Sequence, residues 1–401
     1  MNLLLLSTSY PPVLNSAARL FSELAEGLSR MDRRVTVLTS CPERYTAHHE
    51  ALAESKSVGG LVDIVRLPVL KLSKRIPLLR AFEHFFFALQ YYLHGRRLPR
   101  QDVVIVYSPP LPLAVAGILL ARRWKGRAVI NVQDLYPQSV IDLGFLRNRF
   151  LIKWMRRMER WVYRNADHVT VHSEGNRRVV SEIAEPGTAV YTIPNWIDMD
   201  RYHPNCENGF RQEHQLDDAF LVSYAGIMGF AQGVGDILDA AEILKQDRMD
   251  LLFVLAGSGV SLDELKASAR ERGLENVRFL PHLDEPEYIR LLQSSDVNLV
   301  TLNRRLRTPV VPGKLPCIMA VGGAVVCSTP GASDARTIVE EADCGLWADV
   351  DRPGALSEAI LALYQDKARR RAMGQNGRVY AEVHFRRETC IAKYGEIIGQ
   401  G

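Results

Sequence analysis

Asn2-Leu-Leu-Leu-Leu6-Ser-Thr-Ser-Tyr10-Pro-Pro-Val-Leu-Asn-Ser16 runs into a segment with Leu20, Leu24 and Leu28 in helical register, and then into Val35–Leu38. A continuous apolar run reads as a strand buried on both faces, the proline-bearing stretch as a loop, and leucines spaced by four as one helix face. Strand, loop, helix and strand in that order open a doubly wound parallel sheet. Ligands of such sheets gather at the carboxyl ends of the strands. The 7–19 loop therefore borders a site, with Arg19 at the start of its helix.

The pattern continues outward. Ile64–Leu67, Asp102–Tyr107, Ala128–Val132, His168–Val171 and Val190–Ile193 are further apolar strands. The apolar helix over 111–121 is too short to span a bilayer and reads as buried. Ala128–Val132 ends in Gln133-Asp134-Leu135-Tyr136, which puts an aspartate where chemistry sits in this architecture, though a turn or N-cap aspartate would look the same. After Pro194–Asp198, which reads as a hinge, the motif restarts. Phe220–Tyr224 leads into a loop with Gly226, Gly229, Gly233 and Gly235, and a helix begins at Asp236. Glycines between a strand and a helix let backbone approach a phosphate, but this spacing is not the strict dinucleotide fingerprint. Leu251–Leu255 with Gly257 and Gly259, Val277–Leu280 with Pro281, and Val297–Thr301 repeat the unit. The fold class is α/β: two Rossmann-like doubly wound parallel-sheet domains.

Thr308-Pro-Val-Val-Pro-Gly313-Lys314-Leu315-Pro-Cys317 places a lysine where a proline-rich loop becomes a helix, which suits an anion; a buried loop with a surface lysine is the plainer alternative. The spacing is not that of a P-loop.

With 401 residues the chain exceeds one hydrophobic core. Its net charge of +4 is uneven: residues 1–200 hold 27 Lys and Arg against 18 Asp and Glu, a balance of +9, and the remainder 23 against 28, or −5. A basic first half expects an anionic partner. Two stretches in it interleave cations with aromatics. One is Lys71–Arg80 with 81–97; the other is Phe150–Arg164, with Lys153, Arg156, Arg157 and Arg160 around Trp154 and Trp161. Both suit helices lying on an anionic bilayer, and equally helices packing their aromatics on a sheet. The six cysteines form no CxxC pair, which argues for a reducing compartment. Neither a signal peptide nor a spanning helix is expected. His48, His49, His168 and His172 lack acidic partners at ligand spacing, so no metal site is expected.

Several local motifs resemble the retaining family 4 glycosyltransferases of the GT-B class, in particular their bacterial O-antigen fucosamine-transferase-like and colanic-acid-transferase-like branch. They are Tyr10-Pro-Pro with Ala17-Ala-Arg19, Gln133-Asp134-Leu135, His172-Ser173-Glu174-Gly175, Ile193-Pro-Asn195-Trp196, Tyr224-Ala-Gly226, Gln232-Gly233, Gly257-Ser-Gly259, Val311-Pro-Gly-Lys314-Leu and Met319-Ala-Val-Gly322. The likeness spans nearly the whole chain. It implies an acceptor-binding, membrane-facing domain over 1–197, a donor domain over 198–379, and a last helix in 380–401 crossing back to the first. The implied activity is transfer of a sugar, with retention, from a UDP- or GDP-sugar to a polyprenyl-diphosphate-linked saccharide, without metal or other cofactor. The enzyme would work in surface polysaccharide synthesis at the cytoplasmic face of the plasma membrane, with no nucleic-acid partner.

By the same resemblance Lys314 and Asp134 are catalytic. The donor contacts Gly226, Gly229, Gln232, Gly233, Gly257, Phe279, Leu280, Pro281, Gly313, Leu315 and Cys317. The acceptor contacts Ser16, Arg19, Tyr136, Ser173 and Glu174. One departure stands out: Pro309 and Cys317 occupy the places of two glutamates common in the family, the second of which holds the donor ribose. Rival readings are a soluble transferase with a small acceptor, a donor-binding partner without activity, and, more distantly, a GT-B epimerase.

Overall fold

The computed structural model describes residues 1–13, 15–41, 54–56, 62–68, 77–205, 208–216, 219–245 and 250–400, with backbone only at 54–56 and 77–82. Two compact units divide the chain. One comprises Met1–Ile141, Leu146–Asn195 and Glu388–Gly401; the other comprises Asp142–Phe145 and Trp196–Arg387. The expected boundaries at 197 and 380 thus move to 195 and 388. The helix Lys367–His384 continues through Tyr380, because Ala381 is buried among second-unit residues, and the chain breaks only at Phe385 before the helix Arg387–Gly399.

The first unit holds β1 (Asn2–Ser7), β2 (Arg34–Ser40), β3 (Glu54–Lys56), β4 (Val62–Leu67), β5 (Val103–Ser108), β6 (Arg127–Val132), β7 (His168–Val171) and β8 (Ala189–Thr192). Their order is β3-β4-β2-β1-β5-β6-β7-β8. All neighbours are parallel except β3 with β4. The chain leaves β1 toward β2 and later returns to β5 on its other side, so the switch point of the sheet lies between β1 and β5. Helices cover the sheet, and Gly117 lets one of them come close: a Cβ there would stand 2.2 Å from Val106. The helix Arg387–Gly399 belongs here through Tyr394, whose hydroxyl takes a hydrogen bond from Asn131 Nδ2 (2.6 Å) and lies 3.0 Å from Thr170 Oγ1.

The second unit holds β9 (Phe220–Ile227), β10 (Leu251–Ser258), β11 (Val277–Leu280), β12 (Val297–Thr301), β13 (Val325–Thr329) and β14 (Gly345–Asp349), ordered β11-β10-β9-β12-β13-β14 and all parallel. Its switch point lies between β9 and β12. Sequence pattern does not announce β14, whose five residues begin with glycine. It forms because β13 accepts it at a distance only glycine permits: a Cβ on Gly345 would lie 2.0 Å from Val325 O.

The segments Lys71–Ile76 and His48–His49, and Cys206, lie outside the described residues. The other five cysteines are buried and form no disulfide among the described residues. Among the described residues no helix is long and apolar enough to cross a membrane, and no three potential ligands converge as a metal site.

Candidate active site

In the second unit the carboxyl ends of β9 and β10 meet through bare backbone. Gly226 and Gly257 have φ of +139° and +147°, and a Cβ on Gly257 would fall 1.9 Å from Gly226 O. The loops beyond them are tied together: Met228 N–H donates to Ser258 O (2.8 Å) and Ser261 N–H to Met228 O (3.0 Å). The glycine loop is also held from within and from β12. Gln232 Oε1 accepts from Gly229 N–H (3.2 Å). Asn303 donates from its backbone N–H to Ala231 O (2.9 Å) and from Nδ2 to Phe230 O (2.9 Å). Gln232 thus shapes the loop.

Lys314 closes this loop from the other side. A Cβ on Gly226 would stand 3.5 Å from its Nζ, so glycine there leaves room for the ammonium. Nζ lies 3.3 Å from the centroid of the Tyr224 ring. It is buried and has no hydrogen-bond partner among the described residues, and that burial holds its pKa well below the ordinary lysine value. The ring face offers a cation some compensation, but not the acceptors an ammonium has in water. Its helix, Lys314–Ala320, has only seven residues, and the N–H of Leu315 is already taken by Pro312 O (3.0 Å). The attraction for an anion comes from this side-chain charge more than from a helix dipole.

The other expected donor residues divide. Gly313 is open, with nothing within 4 Å of a built Cβ. Phe279 and Leu280 end the edge strand β11 beside Leu255 and Ala256 and are half-buried, while Pro281 is exposed. Leu315, in contrast, is wholly enclosed in the core, so its side chain cannot meet a ligand. Cys317 is buried, with Sγ 3.4 Å from Gly313 O. Tyr224, the floor under Lys314, was not anticipated; an aromatic residue just before a glycine loop was the available signal.

In the first unit Asp134 follows β6 and is exposed. Desolvation by the surrounding protein raises its carboxyl above the usual value, and the charge of His172 opposes the rise. Its loop is anchored by a polar chain. Asn195 Nδ2 donates to Gln133 Oε1 (2.8 Å), and Gln133 Nε2 donates to Asn131 Oδ1 (3.0 Å). His172 Nε2 lies 2.9 Å from Gln133 O and 2.9 Å from the Asn176 amide. A carbonyl only accepts, so Nε2 carries the proton that Gln133 O receives. Burial, and then the Asp134 charge, raise the hydroxyl pKa of Tyr107 on β5. Tyr107 also meets Phe21 of the helix Ser16–Ser29, ring centroids 5.2 Å apart.

Among the expected acceptor residues, Tyr136 adjoins Asp134 and is half-buried. Ser16 is exposed at the first turn of its helix, whose cap is Asn15, accepting from Ala18 N–H. Arg19 is engaged by Glu23 (3.4 Å) and Glu174 by Arg177 (2.7 Å). Ser173 caps the helix Glu174–Ile183 by accepting from Asn176 N–H (3.3 Å). These last three are engaged by partners three or four residues away, the spacings at which helix pairs and N-caps form.

Comparison with known proteins gives two family matches: a glycosyl transferase 4-like domain over residues 16–196 and a glycosyl transferases group 1 domain over 207–380. The chain is similar to the putative colanic acid biosynthesis glycosyl transferase WcaI of Escherichia coli K12, 26% identical over 360 residues covering 85% of this chain and 86% of that one. It is also similar to the N-acetylgalactosamine-N,N'-diacetylbacillosaminyl-diphospho-undecaprenol 4-alpha-N-acetylgalactosaminyltransferase of Campylobacter jejuni, 23% identical over 77% of this chain and 79% of that one. Among solved structures it resembles sucrose-phosphate synthase of Thermosynechococcus elongatus (TM-score 0.81, 17% identity, 100% and 98% covered). It also resembles Anabaena HepE, solved in complex with UDP and glucose (TM-score 0.76, 15% identity, 100% of both chains covered). The fold is that of the GT-B glycosyltransferases. The chain is a glycosyltransferase that carries both domains.

Proposed function

We propose that this glycosyltransferase moves a sugar, with retention, from a nucleoside-diphosphate sugar to a polyprenyl-diphosphate-linked saccharide in bacterial surface polysaccharide synthesis, working against the inner membrane face. The observation that carries the donor half is Lys314 Nζ, buried and without an acceptor beside Gly226. A diphosphate would supply the missing acceptors. Its charge grows as the bond to the sugar breaks, so an ammonium fixed beside rigid backbone stabilises the transition state more than the ground state. Gly226 leaves room beside the ammonium, Gly233 and Gly257 let neighbouring backbone segments close up around the loop, and Phe279–Pro281 would carry the base. Asp134, raised and exposed at a strand's end, is assigned to orient or receive the acceptor proton. The relatives' printed names support the acceptor: one belongs to colanic acid biosynthesis and the other acts on a diphospho-undecaprenol saccharide. The UDP bound in HepE supports the donor class.

A second reading, a donor-binding partner without turnover, draws on Cys317, whose thiol offers a ribose diol none of a carboxylate's acceptors. Thermal-shift measurement against UDP, GDP and ADP and their sugars tests the donor site, since a ligand of the native state raises its melting temperature. A rise with one nucleotide family, lost in Lys314→Ala, is expected. No rise with any of them would overturn the donor site. Binding without sugar release or transfer would favour the second reading.

A further inference from the structure

Three helices of the first unit leave an open groove of about 440 Å³ between them, lined among others by Phe85, Leu89, Leu119, Trp154, Met158 and Trp161. The helices are Pro77–Gly95, Leu111–Trp124 and Arg149–Asn165. Arg157 is the single charged residue of that lining among the described residues. Apolar side chains at its mouth stay in water: Leu89 is 53% and Trp154 45% exposed. Beside it lies a second hollow of about 380 Å³, lined by Arg149, Ile152, Lys153, Arg156, Arg157 and Arg160. Arg157 belongs to both. None of these five cations forms an ion pair among the described residues. Arg156 reaches back to donate to Gln138 Oε1 (3.1 Å), four residues beyond Asp134.

We infer that the groove takes the hydrocarbon chain of a phosphorylated lipid, and that the neighbouring hollow takes its phosphates. This rests on the lipid-linked acceptor proposed above and names where the two halves of that lipid bind. An apolar slot and a cationic basin that share one arginine are complementary to a molecule with a chain at one end and phosphate where the chain stops. A nucleic acid would meet the cations but gain nothing from the slot. A flat bilayer would meet the exposed aromatics but would not need a concavity. Chain and phosphate anchored here leave the saccharide beyond the phosphate to extend along the cationic strip toward Gln138 and the Asp134 loop.

The test uses the full-length protein without vesicles and three probes: farnesyl diphosphate, farnesol and inorganic diphosphate, followed by tryptophan emission. Farnesyl diphosphate is expected to bind saturably and about tenfold or more tighter than either half alone. Leu89→Glu sets a carboxylate in the mouth of the slot at an exposed position. It should reduce farnesyl diphosphate to the affinity of inorganic diphosphate. The paired reversal Lys153→Glu with Arg157→Glu should reduce it to that of farnesol. Both variants should keep the melting-temperature rise given by the nucleotide donor, which shows that they are folded. Inorganic diphosphate binding as tightly as farnesyl diphosphate, an unchanged Leu89→Glu, or no saturable farnesyl diphosphate signal in the absence of vesicles would each overturn the inference. A wild-type protein that binds farnesyl diphosphate but no nucleotide would support the groove and overturn the transferase reading instead.

Discussion

The Lys314 ammonium stands 3.3 Å from the centroid of the Tyr224 ring and has no hydrogen-bond acceptor among the described residues. An unsatisfied buried charge weakens the ligand-free fold. Burial lowers this lysine's pKa below 10.5, so between the lowered value and 10.5 the unfolded chain binds more protons than the folded one. Stability therefore rises with pH through that window, and the penalty is full below it. Lys314→Met, which keeps the stem and removes the charge, is expected to stabilise the free protein by roughly 1–3 kcal/mol. In thermal unfolding the gain should grow as pH is lowered and fade above 10.5, while nucleotide no longer raises the melting temperature. A variant less stable than wild type at low pH would contradict this.

The same placement links donor binding to protons. A diphosphate beside Nζ favours the charged amine, so binding should draw up to one proton from solution and tighten as pH falls, as long as the phosphates stay ionised. Calorimetry in buffers of different ionisation enthalpy measures the uptake directly. Heats that do not depend on the buffer would show that the amine is already fully charged in the free protein.

Asp134→Asn preserves size and removes the proton acceptor. It should leave nucleotide-induced stabilisation unchanged and reduce transfer to the acceptor by about 10²- to 10⁴-fold. Unaltered turnover with intact donor binding would remove Asp134 from the chemistry.

The glycines of the donor loop differ in what they tolerate. Gly257→Ala must move Gly226 O, 1.9 Å from the new Cβ, at φ +147°. It is expected to cost more than about 3 kcal/mol and to abolish nucleotide binding in whatever protein remains folded. Gly313→Ala meets nothing within 4 Å and lies at φ −60°. It should change stability by less than about 1 kcal/mol. Equal unfolding temperatures for the two variants would refute the backbone-contact argument.

Glu159 lies buried in the basic helix of the first unit, accepting a long hydrogen bond from Tyr163 (3.4 Å). Burial, only partly offset by Tyr163, Arg156 and Arg160, raises its pKa from 4.5 to about 7. The folded state then holds more protons than the unfolded one between those values, so stability falls as pH rises through them and the full penalty is present above 7. Glu159→Gln should raise stability by about 1–3 kcal/mol at pH 8 and little at pH 5. A gain of equal size at both pH values would point to packing instead of charge.

The sequence alone determined the architecture. Apolar runs such as Leu3–Leu6 and Leu251–Leu255 can be buried on both faces only as central parallel strands, and the glycines after Tyr224 and Ala256 mark where helices must begin. It also pointed to Lys314 and Asp134, because loops at strand ends follow from strand order. Periodicity carries no information about distant partners, so the rest was decided only in three dimensions. It could not tell that Leu315 faces the core or that Gly345 opens a strand. Nor could it show that two basic-aromatic helices, far apart along the chain, border an apolar slot beside a cationic basin. Local spacing fixes which face of an element is apolar, but only packing fixes what that face meets and which charges are left without a partner.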